Sequence, residues 1–272
     1  MIARSYLYVP GNNMAMLSKA DSRGADAIIV DFEDSVSQSE KQSARENFSQ
    51  WVGSNQISSQ IWVRINADDL DSDLLACDRE GVAGIVVPKA SIENVEYISS
   101  KIKIVKQLSA LIESADSVLS AREIAKIQKV QFLQIGQLDL RAELGLGFEE
   151  SSPPLDFALA NLVLASAAAG IEQPIAPMHS DVTDDIGLGN SCKKFRNAGF
   201  FGRTAIHPAQ VARINLEFST SAEDLAKALS ILEKIGSSSG VALDESGKMI
   251  DEASAKIARR IISRAHLRND HS

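Results

Sequence analysis

The amino-acid sequence predicts a (β/α)8 TIM barrel with a C-terminal helical arm. Three observations carry that expectation. Eight short apolar or β-branched runs recur along the chain, each followed by a longer stretch with helical spacing. Aromatic residues are only 5% of the chain while Ala, Ile, Leu and Val are plentiful, which suits close helix–strand packing. A length of 272 residues with 44% hydrophobic content is enough for one large core.

The first strand-like run is Tyr6 to Val9, with helical spacing behind it from Met14 to Arg23. Ala27 to Asp31 is the second, followed by a helical stretch from Glu40 to Trp51. Ile61 to Ile65, Gly84 to Val87 and Leu108 to Ile112 are the third, fourth and fifth, and Ser117 to Ile127 then reads as helix. Val130 to Ile135, Pro174 to Met178 and Arg203 to Ile206 complete the eight, separated by helical stretches Pro154 to Ala169 and Asn190 to Ala198. Gly24, Gly170 and Gly199 close three helices in the left-handed conformation. A doubly wound open sheet is the alternative, but the glycine-rich turn it needs after its first strand is only partly present in Pro10-Gly11-Asn12. Beyond the eighth strand, Ala222 to Ile235 reads as helix, residues 236–240 as a flexible linker and Asp251 to Arg268 as an amphipathic helix. The expected organisation is a barrel over residues 1–235 and, over 236–272, a linker and helical arm that either packs on its own barrel or reaches a neighbouring subunit.

A formal net charge of -8 disfavours nucleic acid as a partner, because phosphate binding needs a basic face. Cys77 and Cys192 lie far apart without metal-ligand spacing, so buried free thiols in a reduced compartment are expected. No run approaches a membrane span or a signal segment, and the chain reads as cytoplasmic.

Barrel active sites are built at the carboxyl ends of the strands. Those ends read Asp31-Phe32-Glu33-Asp34, Arg64-Ile65-Asn66, Pro88-Lys89, Glu113-Ser114, Gln137-Leu138-Asp139 and His207-Pro208. Acidic groups crowded there repel one another unless a cation sits among them or some hold protons, and Arg64 and Lys89 offset only part of the charge. Glu113 and Asp139 are the candidate ligands of a divalent metal, since two carboxylates on adjacent strands leave octahedral positions for water and substrate. That pattern suits Mg2+, with Mn2+ also compatible. No histidine cluster supports zinc, and His179, His207 and His266 read as structural. Arg64 has the fork that grips a carboxylate or a developing enolate, or that forms a salt bridge to Asp31, Glu33 or Asp34.

The chain resembles the citrate lyase beta-subunit-like proteins of the malyl-CoA and citramalyl-CoA lyase group, in the HpcH/HpaI aldolase superfamily. The resemblance runs nearly end to end, through Arg4 to Asn12 (RSYLYVPGN), Ala25 to Val36 (ADAIIVDFEDSV), Val63 to Asn66 (VRIN), Gly84 to Lys89 (GIVVPK), Leu111 to Glu113 (LIE), Gly136 to Leu140 (GQLDL), Ala205 to Val211 (AIHPAQV) and Gly247 to Asp251 (GKMID). It implies a Mg2+-dependent lyase that splits a hydroxy-acid CoA thioester (malyl-, citramalyl- or citryl-CoA) into an oxo acid and an acyl-CoA, with thioester hydrolysis as a possible further step. It also implies a homo-oligomer, with a trimer favoured.

By the same resemblance Glu113 and Asp139 hold the metal, Glu113 and Arg64 meet the substrate, and Arg64 stabilises the enolate. Glu33 and Asp34 surround metal-bound water, and Asp251 enters a neighbour's site as an acid–base group. The loop Pro10 to Asn13 and the segment Ile206 to Pro208 lie where the family holds CoA. Two departures bear on substrate size and on the arm: Ala176-Pro177-Met178-His179-Ser180 stands where the family has an aspartate after strand seven, and no proline follows Asp251. A metal-dependent aldolase of free 2-oxo acids and a non-catalytic subunit of a citrate-lyase-like complex are the competing readings.

Overall fold

The structure is a computed structural model that describes residues 3–54, 56–147, 152–236, 242–243 and 247–266. Eight parallel strands close into a barrel in sequence order: β1 (Ser5–Pro10), β2 (Ala27–Asp31), β3 (Gln60–Arg64), β4 (Gly84–Val87), β5 (Leu108–Ile112), β6 (Val130–Ile135), β7 (Ile175–Ala176) and β8 (Gly202–Ala205). The expected (β/α)8 class is what the chain adopts. Among the described residues ten α-helices belong to it: α1 (Met14–Ala20), α2 (Lys41–Ser54), α3 (Leu70–Cys77), α4 (Ile92–Lys101), α5 (Ala115–Leu119), α6 (Ala121–Ala125), α7 (Gln137–Glu143), α8 (Pro153–Ala169), α9 (Asp185–Ala198) and α10 (Val211–Glu217).

Alternation along the strands sorts two cores. Tyr6, Ala27, Ile29, Trp62, Val86, Leu111, Phe132 and Ile175 form one buried cluster, while the strand residues between them, such as Leu7, Ile28, Val63 and Leu133, join a larger cluster with the helices. In the smaller cluster the rings of Tyr6, Trp62 and Phe132 lie with centroids 4.9 to 6.2 Å apart. Gly84 leaves room for the Trp62 ring, which would come within 2.2 Å of a Cβ built there. An aromatic plug therefore fills the barrel, and the same inward-facing rows continue upward to its mouth.

Several boundaries differ from the sequence expectation for local reasons. Strand β7 is only two residues long because Pro174 and Pro177, which lack an N–H, bracket it. The stretch expected as one helix from Ser117 divides at Ser120 into α5 and α6. Helix α9 begins at Asp185, where the Asp184 side chain caps the Gly187 N–H. Gln137, Leu138 and Asp139, read as a strand end, form the first turn of α7.

The chain divides into two compact units, Ile2–Phe218 and Ser219–Ser272. The second contains α11 (Ala222–Gly236), the short antiparallel pair β9 (Ala242–Leu243) and β10 (Met249–Ile250), and α12 (Glu252–His266). The division at 218 places α11 with the C-terminal segment rather than with the barrel, whose limit the sequence suggests at 235, because α11 and α12 pack on each other. Most of the expected linker, residues 237–240, lies outside the described residues. No helix among those described is long and apolar enough to cross a membrane.

Candidate active site

Continuing each inward row of the plug by two residues gives the mouth. Tyr6 leads to Tyr8, Ile29 to Asp31, Trp62 to Arg64 and Leu111 to Glu113, and all four of the upper residues line one cavity of about 1110 Å³. Side-chain direction is thus inherited from the core, and only residue type changes from apolar to charged.

Register places Asp31 directly beside Arg64. The Arg64 Nε and Nη2 donate to the two Asp31 oxygens, each at 2.7 Å, forming a bidentate pair. Nη1 turns to Glu33 at 3.1 Å and Asp34 at 3.2 Å, and the guanidinium lies 5.0 Å from the Tyr8 ring centroid. The salt-bridge reading of Arg64 is therefore realised with all three acids, while the residue also lines the cavity. Asp31 is buried, which raises its pKa, but hydrogen bonds and charge from Arg64, with help from Ser35 and the Glu33 N–H, outweigh that and hold it below the usual carboxylate range. Glu33 is also buried and is pushed upward, first by burial and then by Asp34 and Asp31, against the pull of Arg64 and Lys89. Neither Glu33 oxygen makes a hydrogen bond.

Glu113 follows β5 and is 6% exposed. Its Oε2 accepts the Lys89 N–H at 2.7 Å. Gly136, at the start of α7, makes room for the carboxylate: a Cβ there would lie 2.5 Å from Glu113 Oε1. Burial pushes Glu113 up to about 7, opposed by the Lys89 N–H and Arg64 and reinforced by the charges of Glu33 and Asp139. Asp139 is exposed and lines the same cavity. Among the described residues no group of three or more His, Cys, Asp or Glu side chains is arranged to hold a metal ion. The buried Glu113, short of positive charge and cradled by Gly136, is suited to a hard divalent cation.

Five of the six residues singled out from the sequence gather in this unit: Glu33, Asp34, Arg64, Glu113 and Asp139. Asp251 belongs to the C-terminal unit, where its Oδ1 accepts the Ser254 N–H at 3.0 Å at the start of α12. The His207 Nδ1 accepts the Ala209 N–H. His179 departs from the structural reading: it lines the cavity, its buried Nε2 makes no hydrogen bond, and Asp184 is 3.7 Å away. The strand-end logic applied to the other strands would have found it at the end of β7. The buried Arg203, which donates to the Pro177 carbonyl and the Ser191 hydroxyl, also lines the cavity and was not anticipated.

Fold and mouth together define a TIM-barrel enzyme whose acidic strand ends surround one arginine. More particularly, the chain belongs to the HpcH/HpaI aldolase/citrate lyase family, whose profile matches residues 4–208. A second profile, C-C_Bond_Lyase of the TIM-Barrel fold, matches residues 157–268. Among curated proteins, a (3S)-malyl-CoA thioesterase of Cereibacter sphaeroides is 30% identical, covering 96% of this chain and 94% of its own length. An L-malyl-CoA/beta-methylmalyl-CoA lyase of Rhodobacter capsulatus is 29% identical, covering 97% and 95%. Among solved structures, the CitE protein of Mycobacterium tuberculosis in complex with magnesium, acetoacetate and coenzyme A superposes with a TM-score of 0.79 at 27% identity, covering 97% of this chain and 98% of that one.

Proposed function

We propose that this protein is a Mg2+-dependent carbon–carbon lyase that cleaves a hydroxy-acid CoA thioester of the malyl, citramalyl or citryl type into an oxo acid and an acyl-CoA. The observation that carries the reading is the meeting of Arg64, Glu113 and Asp139 on one cavity, in a chain whose relatives are named for malyl-CoA chemistry. Glu113 and Asp139 would hold the cation, which when bound supplies Lewis-acid stabilisation of negative charge on the substrate's oxygens.

The chain's own residues account for the rest of the reaction. A carboxylate of the mouth takes the proton of the substrate hydroxyl. The bond between the carbinol carbon and the carbon beside the thioester then breaks, its electron pair passing to the thioester as an enolate. Arg64 lies fixed by Asp31 before the reaction starts, so its charge is preorganised for the oxyanion that develops. Glu33 and Asp34 order water around this centre. Asp251 protonates the enolate carbon from the arm of a neighbouring subunit, which makes the working assembly a homo-oligomer, a trimer, in the cytoplasm.

Hydrolysis of the thioester is a second reading, favoured by the relative named as a thioesterase. One coupled assay separates the two. Purified protein is given malyl-CoA and citramalyl-CoA with Mg2+ or with chelator, and oxo acid and free thiol are followed separately. Metal-dependent oxo-acid release, lost in Glu113→Ala, is the expected result. Thiol release without oxo acid replaces the lyase by a thioesterase, and absence of both with every substrate overturns the proposal.

A further inference from the structure

Lys89, two residues after β4, has a φ of 45°, in the left-handed region that a non-glycine residue enters only against steric strain. Such a conformation persists where its surroundings over-determine it, and here each main-chain group has a partner. The Lys89 N–H donates to Glu113 Oε2 at 2.7 Å, its carbonyl accepts from Asn94 Nδ2 at 3.0 Å, and the next N–H, of Ala90, donates to the Leu111 carbonyl at 3.1 Å. Asn94 is held in turn by its reciprocal capping box with Ser91. The exit of β4 is thereby folded over the end of β5. Glu113 is gripped at Oε2, while Oε1 lies against Gly136, at the start of the helix that carries Asp139.

The backbone alone does not explain a lysine, because glycine takes this φ freely. What glycine lacks is the ammonium, and Nζ lies 3.5 Å from Glu33 Oε1. Glu33 is buried without a hydrogen bond to either oxygen, and the Nε and Nη2 of Arg64 are committed to Asp31. Arg64 Nη1 faces Glu33 and Asp34. A second positive charge on Glu33 relieves Nη1 of that demand.

We infer that Lys89 is a positioning residue with two separable parts: its left-handed main chain presents Glu113 Oε1 to a divalent cation, and its ammonium shares Glu33 so that Arg64 Nη1 can engage an oxo-acid carboxylate. The inference rests on the metal-dependent lyase reading above.

The test is calorimetric titration of full-length protein with Mg2+, followed by pyruvate added to the Mg2+-loaded protein. Lys89→Gly keeps the main-chain geometry and is expected to bind Mg2+ within about threefold of wild type. Lys89→Val, whose β-branched side chain disfavours this φ, and Asn94→Ala, which frees the Lys89 carbonyl, are expected to weaken Mg2+ about tenfold or more. Lys89→Gly and Lys89→Met are both expected to weaken pyruvate about tenfold, and Lys89→Arg to restore it. If Lys89→Val and Asn94→Ala bind Mg2+ as wild type does, the main-chain part is wrong. Should Lys89→Val fail to fold, Asn94→Ala against Lys89→Gly decides the same point. Wild-type pyruvate affinity in Lys89→Gly and Lys89→Met removes the side-chain part. Folded wild-type protein that takes up no Mg2+ overturns the metal reading itself, and this inference with it.

Discussion

Lys89 and Lys129 are the two non-glycine residues with positive φ among those described, and they sit at opposite ends of the barrel. Lys129, at φ 72°, precedes β6 at the bottom. Its Nζ donates to the carbonyls of Ser99 and Ile102 at 2.7 and 2.8 Å, closing the end of α4, and its own carbonyl accepts the Leu108 N–H at 2.7 Å. Lys89, at φ 45° on the top, spends its N–H and its ammonium on carboxylates of the mouth. The same uncommon backbone state serves main-chain hydrogen bonding at one end and carboxylate placement at the other. The bottom lysine completes bonds that folding leaves open, whereas the top one holds together charges that folding alone would keep apart.

The largest test of this contrast is Glu113→Gln. Turnover is expected to fall on the order of a thousandfold, because the carboxylate proposed to hold the cation loses its charge where negative charge develops. The metal-free protein should meanwhile gain stability. A carboxyl whose folded pKa is about 7 instead of the ordinary 4.5 contributes stability that is fully present below the unfolded value and is lost as pH rises through 7. Glutamine removes that loss, so chemical denaturation at pH 8 in chelator should show a gain of up to about 3 kcal/mol, vanishing near pH 4.5. A variant less stable than wild type at pH 8 would mean that the top of the barrel is not strained by its own charge.

The fold was legible in the sequence because buried parallel strands are continuous apolar runs, and the eight runs are the eight strands. The mouth was legible by the same rule, as Asp31, Arg64 and Glu113 stand next in line after Ile29, Trp62 and Leu111. Pairing was less so. That Arg64 grips Asp31 by two bonds and leaves Nη1 for Glu33 follows from barrel register, which no local pattern encodes. The left-handed state of Lys89 was hidden for a similar reason: it is imposed by Glu113, Asn94 and Leu111, two of them on another strand's end. The helix from Asp185 begins before its sequence pattern becomes visible because Gly187 and Gly189 dilute that pattern, while its capping residue Asp184 is one of several aspartates nearby.

Arg64→Met sharpens the contrast next. It leaves the buried Asp31 without its bidentate partner, and removing one member of such a pair costs about 3 kcal/mol. Guanidinium denaturation should show that loss together with loss of turnover. Lys129→Met, by comparison, removes two carbonyl contacts at the bottom and is expected to cost about 1–2 kcal/mol with kcat/KM unchanged. A change in kcat/KM would break the division of labour between the two ends.

The smallest effect separates the two lysines by sign. Glycine relieves the left-handed strain at either position, a gain of about 1 kcal/mol, and gives back roughly half of it through the freer unfolded chain. At Lys89 little else is lost in Mg2+-loaded protein, because the side chain is 60% exposed and its ion pair with Glu33 is screened by water. Lys89→Gly should therefore melt at or slightly above the wild-type temperature. At Lys129 the ammonium closes two carbonyls at the end of α4, and these charged hydrogen bonds outweigh the relieved strain, so Lys129→Gly should melt lower. Thermal melts of the two variants in saturating Mg2+ measure the difference directly. If both shift downward alike, Lys89 is a structural cap like its counterpart. Opposite shifts would mean that stability alone does not account for a lysine at the top of the barrel.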